Sequence, residues 1–307
     1  SRGLGDVYKR QNKYSVDLLA AINGSPTQGF GYTTLMTNNG KMVNRGVEIT
    51  LSGEIIRQKD FSWNASLLYA FNRNKVKHIS VQPSLWDSRI SMPTSYPMVG
   101  KPLYGIYAYK WAGLNENGDP QVYDAENNVT SGPARDYHAL VYCGTTVPIH
   151  NASLTNVLRY KGFEFSAMLI LDAGHKLRSS NIPSINMSNG RITSTAKGIV
   201  DRWTQPGDVT DVPRLLFSND TENFNTHRTE LYRYSDLFVY DASNIRLSNI
   251  SLAYRVPAHW CKKISLSGAR LQFNVENVAT FAFDSKANYD LGGKVKPNYV
   301  WGLYLNF

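Results

Sequence analysis

Apolar and polar residues alternate strictly over long stretches of this 307-residue chain. The clearest case is residues 61–71, where aromatic and aliphatic side chains occupy every odd position and Ser, Asn and small residues occupy most of the even ones. A period of two residues is the period of a β-strand. Since no segment shows a convincing amphipathic helix, the alternation predicts an all-β fold.

The alternating segments are long, at ten or more residues against a usual strand length of about 5–6. One face of each is apolar with aromatic residues near its ends, and the other carries Glu, Arg, Asn and Gln. A packed sandwich core would not accept that second face, whereas a membrane β-barrel strand has a lipid face and a wet lumen face. We therefore predict membrane-spanning strands near 12–22, 42–56, 61–76, 151–160, 163–175, 243–256, 268–282 and 297–307.

The connections between these strands alternate in length. Short turns at 57–60 and 160–162 and a medium one at 257–267 fall at one end of the strands. The long connections at 77–150 and 176–242, and shorter ones at 23–41 and 283–296, fall at the other. Membrane barrels have short periplasmic turns and long outer loops. To keep this parity we place residues 104–111 as a hairpin inside an outer loop, and we expect a bulge near 248–249 to reconcile a phase slip.

Composition limits the classes of function. No run of about 18 apolar residues occurs, which excludes transmembrane helices but not membrane strands. The net charge of +9 comes without a basic arm or a nucleic-acid-binding motif, so no nucleic-acid partner is expected. Cys143 and Cys261 stand far apart without a CxxC motif and are expected to be free thiols or one disulfide rather than a metal site.

Residues 1–11, SRGLGDVYKRQ, follow neither a strand nor a helix period. They resemble the in-frame translation of an adaptor used in preparing sequencing libraries. We expect residues 1–11 to be a non-native segment and residues 12–307 to be native sequence.

Several blocks of the chain resemble, in order, the C-terminal part of the SusC/RagA-type TonB-dependent transporters of the Bacteroidetes outer membrane. The most specific is DASNIRLSNISL at 241–252, where Asn244 replaces a Tyr that is usual in the family. The others are NRGVE at 44–48, VGKPLYG at 99–105, YAYKWAGL at 107–114, NGDP at 117–120, KGFEF at 161–165, RWT at 202–204, VPR at 212–214 and the strand at 272–281.

The resemblance implies a fold and a function. The fold is an antiparallel transmembrane β-barrel of about 22 strands with a plugged lumen, of which this chain supplies the last eight strands without the plug domain. The function is active import of a large nutrient, an oligosaccharide or a peptide, across the outer membrane, and no enzymatic activity is expected. The implied partners are a SusD-like surface lipoprotein, the TonB-ExbB-ExbD energy system, outer-membrane lipids and the barrel assembly machinery.

Aromatic side chains in the expected outer loops are candidates for substrate contact, because their faces stack on sugar rings. They are Trp86, Tyr96, Trp203, Tyr232 and Tyr234, although packing within the loops or against the lipoprotein is the favoured interpretation. At the C-terminus an assembly signal is expected, formed by Tyr299, Trp301, Leu303, Leu305 and Phe307.

No catalytic or metal-binding residue and no cofactor is expected. A calcium-binding loop at Asn115, Asn117 and Asp119 is considered, but the twelve-residue pattern is incomplete and a plain turn is favoured. His138 and His150 flank Cys143 without the spacing of metal ligands.

Two other classes of protein share part of this pattern. A soluble carbohydrate-binding β-sandwich would also alternate, but its strands should be shorter and its loops need not keep parity. A passive porin segment would share the barrel but lack the SusC-like blocks. The identity of the substrate lies beyond the sequence.

Overall fold

The computed structural model describes residues 5–23, 34–79, 88–132, 136–187, 196–217, 226–291 and 296–307. In chain order the strands are β1 (Gly5–Asn23), β2 (Thr34–Arg57), β3 (Phe61–His78), β4 (Gly105–Tyr109), β5 (Trp111–Leu114), β6 (Pro120–Tyr123), β7 (Val129–Thr130), β8 (Leu140–Thr145), β9 (His150–Tyr160), β10 (Phe163–Ala173), β11 (Lys176–Arg178), β12 (Asn186–Met187), β13 (Leu216–Phe217), β14 (Val239–Asp241), β15 (Asn244–Arg255), β16 (Gly268–Ala282) and β17 (Asn298–Asn306). The α-helices are α1 (Ser88–Ser91), α2 (Thr226–Arg233), α3 (Ala258–Lys262) and α4 (Asn288–Leu291).

The eight longest strands form one antiparallel sheet in the order β1-β2-β3-β9-β10-β15-β16-β17. These are the eight predicted strands, and each is paired with its neighbour along the predicted series. Within the described residues β1 and β17 are the edges of the sheet and do not pair with each other, so the sheet is an open segment. The all-β fold with short turns at one end and long loops at the other is confirmed.

The register places the apolar side chains of successive strands side by side. One row crosses the middle of the sheet through directly opposed partners, and its members are Leu51, Leu67, Leu154, Leu169 and Leu247. On the opposite face Ser52, Ser66 and Thr155 form a corresponding polar row. Since a slip of one residue would exchange the two faces, the alternation of the sequence determines this register.

Two irregular features were predicted, and the structure confirms the first and corrects part of the second. Ser248 has no partner in the ladder on either side of β15, so Ile245 and Ile250 both fall on the apolar face despite their opposite phase. Residues 105–109 form β4, which pairs with β8 and not with the large sheet. The segment is therefore not an additional crossing, as predicted, but it pairs with the distant strand β8 instead of forming a hairpin of its own.

The first strand departs from the alternation. β1 begins at Gly5, so part of the segment 1–11 pairs with β2. Asp6 and Arg10 lie opposite Leu51 and Val47, on the face that is apolar elsewhere in the sheet. Charged residues thus interrupt the apolar face at this edge, and the non-native origin of residues 1–11 stays a prediction.

The well-buried apolar residues lie mainly in the long loops. One cluster joins α1, β4, β6, β8 and α2 through Ile90, Tyr107, Tyr109, Val122, Ala139, Leu140 and Leu231. A second cluster joins Ile185, Tyr232 and Phe238. None of the helices in the described part of the chain has the length and apolar character required to span a membrane.

Candidate functional site

The long loops between β3 and β9 and between β10 and β15 pack together into one structure, which we call the outer-loop layer. It comprises β4–β8 and α1 from the first loop and β11–β14 and α2 from the second. Contacts between α2 and β6 and between β11 and β8 join the two loops. Because such loops carry the binding residues of many scaffolds, this layer is the candidate site.

Asp119 holds the two loops together through two arginines. Its carboxylate accepts hydrogen bonds from Arg214 (Nη2 to Oδ2, 2.7 Å) and from Arg228 (Nε to Oδ1, 3.1 Å). The Arg228 side chain is 3% exposed and also donates to the carbonyls of Ile185 (3.1 Å) and Arg214 (2.7 Å) and to Asn186 Oδ1 (2.6 Å). Burial lowers the pKa of Arg228, and Asp119 opposes that shift.

Arg178 makes a second link between the loops. Its guanidinium donates to the carbonyl of Tyr107 at 2.7 Å and to the carbonyls of Arg233 and Ser235, both at 3.2 Å. Cations stabilise the last carbonyls of a helix, and Arg233 is the final residue of α2. Arg178 therefore fastens the C-terminus of α2 to β4.

Tyr232 is not available to stack on a ligand in this structure. Only 1% of the residue is exposed, and its ring packs edge-on against Phe238 (4.9 Å between centroids) and at a tilt against Trp111 (5.9 Å). Burial raises the pKa of its hydroxyl far above the usual value. This position in the core of the outer-loop layer agrees with the packing interpretation that was favoured for these aromatics, and a contact of Tyr232 with substrate stays a prediction.

The remaining candidate aromatics occupy different parts of the layer. Tyr234 is half-buried between the guanidinium groups of Arg178 (5.4 Å to the ring centroid) and Arg233 (5.7 Å). Tyr96 lies after α1 and accepts a hydrogen bond at its carbonyl from Arg89. Trp86 lies outside the described residues.

Trp203 lies over the turn that precedes Asp119. A methyl group added at Gly118 would collide with its indole ring. Gly118 has a φ of 74°, which favours glycine, so the turn meets two separate requirements for this residue. The RWT and NGDP blocks singled out in the sequence therefore meet in space, and the VPR block joins them through Arg214.

The turn at 115–119 is organised by its own side chains. Asn115 Oδ1 accepts hydrogen bonds from the backbone N–H groups of Asn117 (3.0 Å) and Asp119 (2.9 Å). With the Asp119 carboxylate bound to two arginines, the contacts correspond to a turn of the Asx type. A calcium ion at this turn was not the favoured interpretation and stays untested.

The histidines and cysteines are dispersed. His138 pairs with Asp136 at 2.7 Å, whereas His150 Nδ1 is 2.8 Å from the hydroxyl of Tyr69. Cys143 and Cys261 are both free thiols, which is the first of the two alternatives that the sequence left open. In the described ranges no group of three or more His, Cys, Asp or Glu side chains could hold a metal ion.

An open groove of about 490 Å³ runs beside the layer. Its lining is mostly apolar, and it includes Ile90, Ile106, Leu177, His175 and Leu291. His175 is 9% exposed, and its Nδ1 has no hydrogen-bond partner among the described residues. Sequence reasoning did not find this groove, because its walls come from six separate segments.

The chain is similar in sequence to known outer-membrane receptors. It is 24% identical over 294 residues to TonB-dependent receptor P3 of Formosa agariphila, covering 89% of this chain and 28% of that protein. It is 22% identical over 263 residues to TonB-dependent receptor SusC of Bacteroides thetaiotaomicron, covering 81% of this chain and 24% of SusC. No family model matches the chain.

The fold agrees with these sequence similarities. The structure of the RagAB peptide transporter superposes with a TM-score of 0.74 at 21% identity, covering 99% of this chain and 33% of the matched chain. Sequence and fold together support the interpretation of the chain as a fragment of a SusC/RagA-type TonB-dependent receptor. It spans about a quarter to a third of the length of the relatives that it matches.

The expected C-terminal assembly signal lies on the edge strand. Trp301 and Tyr299 of β17 face the apolar side, where Phe273 of β16 stacks against them at 4.2 and 6.3 Å between centroids. Leu303 and Leu305 continue the same face opposite Leu271 and Ala269. Phe307 follows the strand and is almost fully exposed. Their role in assembly stays a prediction.

Proposed function

We propose that this chain forms the C-terminal wall and the outer-loop layer of an outer-membrane transporter that imports a peptide or an oligosaccharide. A SusD-like lipoprotein covers the outer-loop layer, and TonB with ExbB and ExbD supplies the energy through a plug domain. The chain has no catalytic role and needs no cofactor. The similarity to SusC and to the RagAB peptide transporter supports the coarse assignment.

One observation supports this proposal most strongly. The sheet presents an apolar face and a polar face over strands of membrane-spanning length, and its long loops form a separate packed layer at one end. A lipid-facing wall with a lumen behind it requires the first property. A selective entrance at the cell surface requires the second.

The alternatives differ in what they require. A soluble sandwich needs two sheets packed face to face, whereas all eight long strands of the described residues belong to one sheet. A passive porin segment shares that sheet, and it differs from the proposed transporter by lacking a plug domain and a dependence on TonB.

The test is carried out on the receptor that contains this sequence, expressed in a Bacteroidetes host. We expect it to fractionate with the outer membrane and to support uptake of a fluorescent peptide mixture or oligosaccharide mixture. Uptake should stop when the gene for TonB, or the gene for the SusD-like lipoprotein, is deleted. Uptake that persists without TonB would support the porin, and recovery in the soluble fraction would support the sandwich.

A further inference from the structure

The short-turn end of the sheet is strongly basic. Three turns meet there, at residues 58–60 between β2 and β3, 161–162 between β9 and β10, and 256–267 between β15 and β16. At or beside these turns lie six exposed cationic side chains against one Asp: Arg57, Lys59, Lys161, Arg255, Lys262 and Lys263. Apart from Arg57, which contacts Glu54 at 3.4 Å, none of the six forms an ion pair within the described ranges.

The longest of these turns holds two apolar side chains outward. α3 is anchored on its inner side by Cys261, which is 1% exposed, and the chain then returns so that the N–H of Leu266 bonds the carbonyl of Cys261 at 3.0 Å. On the outer side Trp260 is 55% exposed and Ile264 is 67% exposed. A fixed Trp and Ile beside two lysines is unfavourable in water but suits a membrane interface.

The apolar face of the sheet leads directly to this turn. Phe163 and Tyr254 face each other across β10 and β15 at 4.5 Å between ring centroids, and Tyr160 opposes Phe163 at the end of β9. The Lys161 ammonium lies 5.3 Å from the Tyr160 ring centroid. Aromatic rings at the ends of membrane strands lie at the edge of the hydrocarbon layer, and cations just beyond them lie at the level of the headgroups. The rings and the lysine at this end of the sheet have that arrangement.

We propose that the short-turn end binds the headgroups of anionic phospholipids. Trp260 and Ile264 lie in the interfacial layer, and Lys161, Lys262 and Lys263 contact the headgroup phosphates. This proposal rests on the membrane placement proposed above and adds the chemistry of the lipid. The excess of cations favours a headgroup with a net negative charge over a zwitterionic one.

The test uses the full 307-residue chain reconstituted in phosphatidylcholine nanodiscs containing a minor fraction of phosphatidylglycerol. The emission of Trp260 is obtained as the difference between the native chain and Trp260→Phe. Bromine is placed on the acyl chains of either phosphatidylglycerol or phosphatidylcholine, at equal total bromine. We expect the brominated phosphatidylglycerol to quench Trp260 more strongly.

Lysine variants separate headgroup binding from insertion alone. In the double variant Lys262→Gln/Lys263→Gln, the preference for phosphatidylglycerol should fall by up to about fivefold for each lysine removed. The matched control is Lys110→Gln/Lys197→Gln, which makes the same change of charge at exposed lysines of the outer-loop layer. The control should keep the preference.

The outcomes distinguish this proposal from the proposed function. Equal quenching by the two brominated lipids, or an equal effect of the two double variants, would refute the lipid preference while the chain remains inserted. If neither lipid quenches the tryptophans and protease cleaves β3, the membrane placement itself is refuted, and the lipid proposal with it.

Discussion

Asp119→Asn is expected to loosen the outer-loop layer, because it removes the one carboxylate that two arginines share. Within the described residues Arg228 has no other acidic partner, and its buried charge would be left without compensation. Removing one member of a buried ion pair costs about 3–5 kcal/mol. Because Asp119 and Arg214 retain side-chain exposures of 20% and 23%, we place the cost near the lower limit, at about 3 kcal/mol.

The assay is amide hydrogen exchange, followed by mass spectrometry, on peptides that contain α2 and residues 185–187. A loss of about 3 kcal/mol raises the local opening constant roughly a hundredfold, since each 1.4 kcal/mol is a factor of ten. Glu116→Gln is the matched control, because it changes the charge by the same amount in the same turn at an exposed side chain. Exchange in β3 and β16 should remain unchanged in both variants.

A double-mutant cycle with Arg228→Met tests the physical reason. If Asp119 acts by compensating the charge of Arg228, the two substitutions together should cost less than the sum of their separate effects, with a coupling of about 0.5–3 kcal/mol. Strictly additive effects would show that the two side chains act independently. Equal exchange in Asp119→Asn and Glu116→Gln would refute the reasoning altogether.

Three further predictions concern single residues of the outer-loop layer. Gly118→Ala should destabilise the layer more than Gly113→Ala, measured as faster cleavage in limited proteolysis. Both glycines have a positive φ, but only at Gly118 would the added methyl group meet an aromatic ring. Equal cleavage rates of the two variants would contradict this. Burial raises the pKa of Cys143 to about 11, so in a Cys261→Ser background the alkylation of Cys143 should reach half its maximal rate near that pH. A midpoint at about 8.5, the value of an exposed thiol, would contradict the burial of Cys143. Burial lowers the pKa of His175 in the folded chain, so as the pH falls the unfolded chain binds a proton at this side chain before the folded chain does. Thermal stability should therefore fall below about pH 6.5, and it should fall less steeply in His175→Gln. Parallel pH profiles for the native chain and the variant would contradict this.

The large sheet is predictable because its information is local. A two-residue period in the sequence marks each strand. The strand predicted at 61–76, for example, differs from the observed Phe61–His78 by two residues at one end. The bulge at Ser248 was also predictable from the sequence, since the phase of the apolar residues changes around it. The alternation is regular because the two faces of such a sheet contact different environments, and every strand has residues on both faces.

The outer-loop layer was not predictable in the same way. α2 contains only two apolar residues, Leu231 and Tyr232, and they are adjacent, so no apolar stripe marks the helix. The helix is held by Asp119, which stands 109 positions earlier in the chain than Arg228. Two blocks noticed for their resemblance to the family, NGDP and VPR, contain Asp119 and Arg214, but nothing in their spacing shows that they meet.

The division between sheet and loops also explains where the buried core lies. In the sheet only a few of the described apolar residues, such as Val43, Val76 and Ala253, are buried, because one face is apolar outward and the other is polar. The largest fully buried side chains, among them Tyr107, Tyr109 and Tyr232, belong to the loops. Loops of this length would lose much conformational entropy on ordering, and a core of their own offsets that loss. The outer-loop layer is therefore a packed structure with its own core, separate from the strands that carry it.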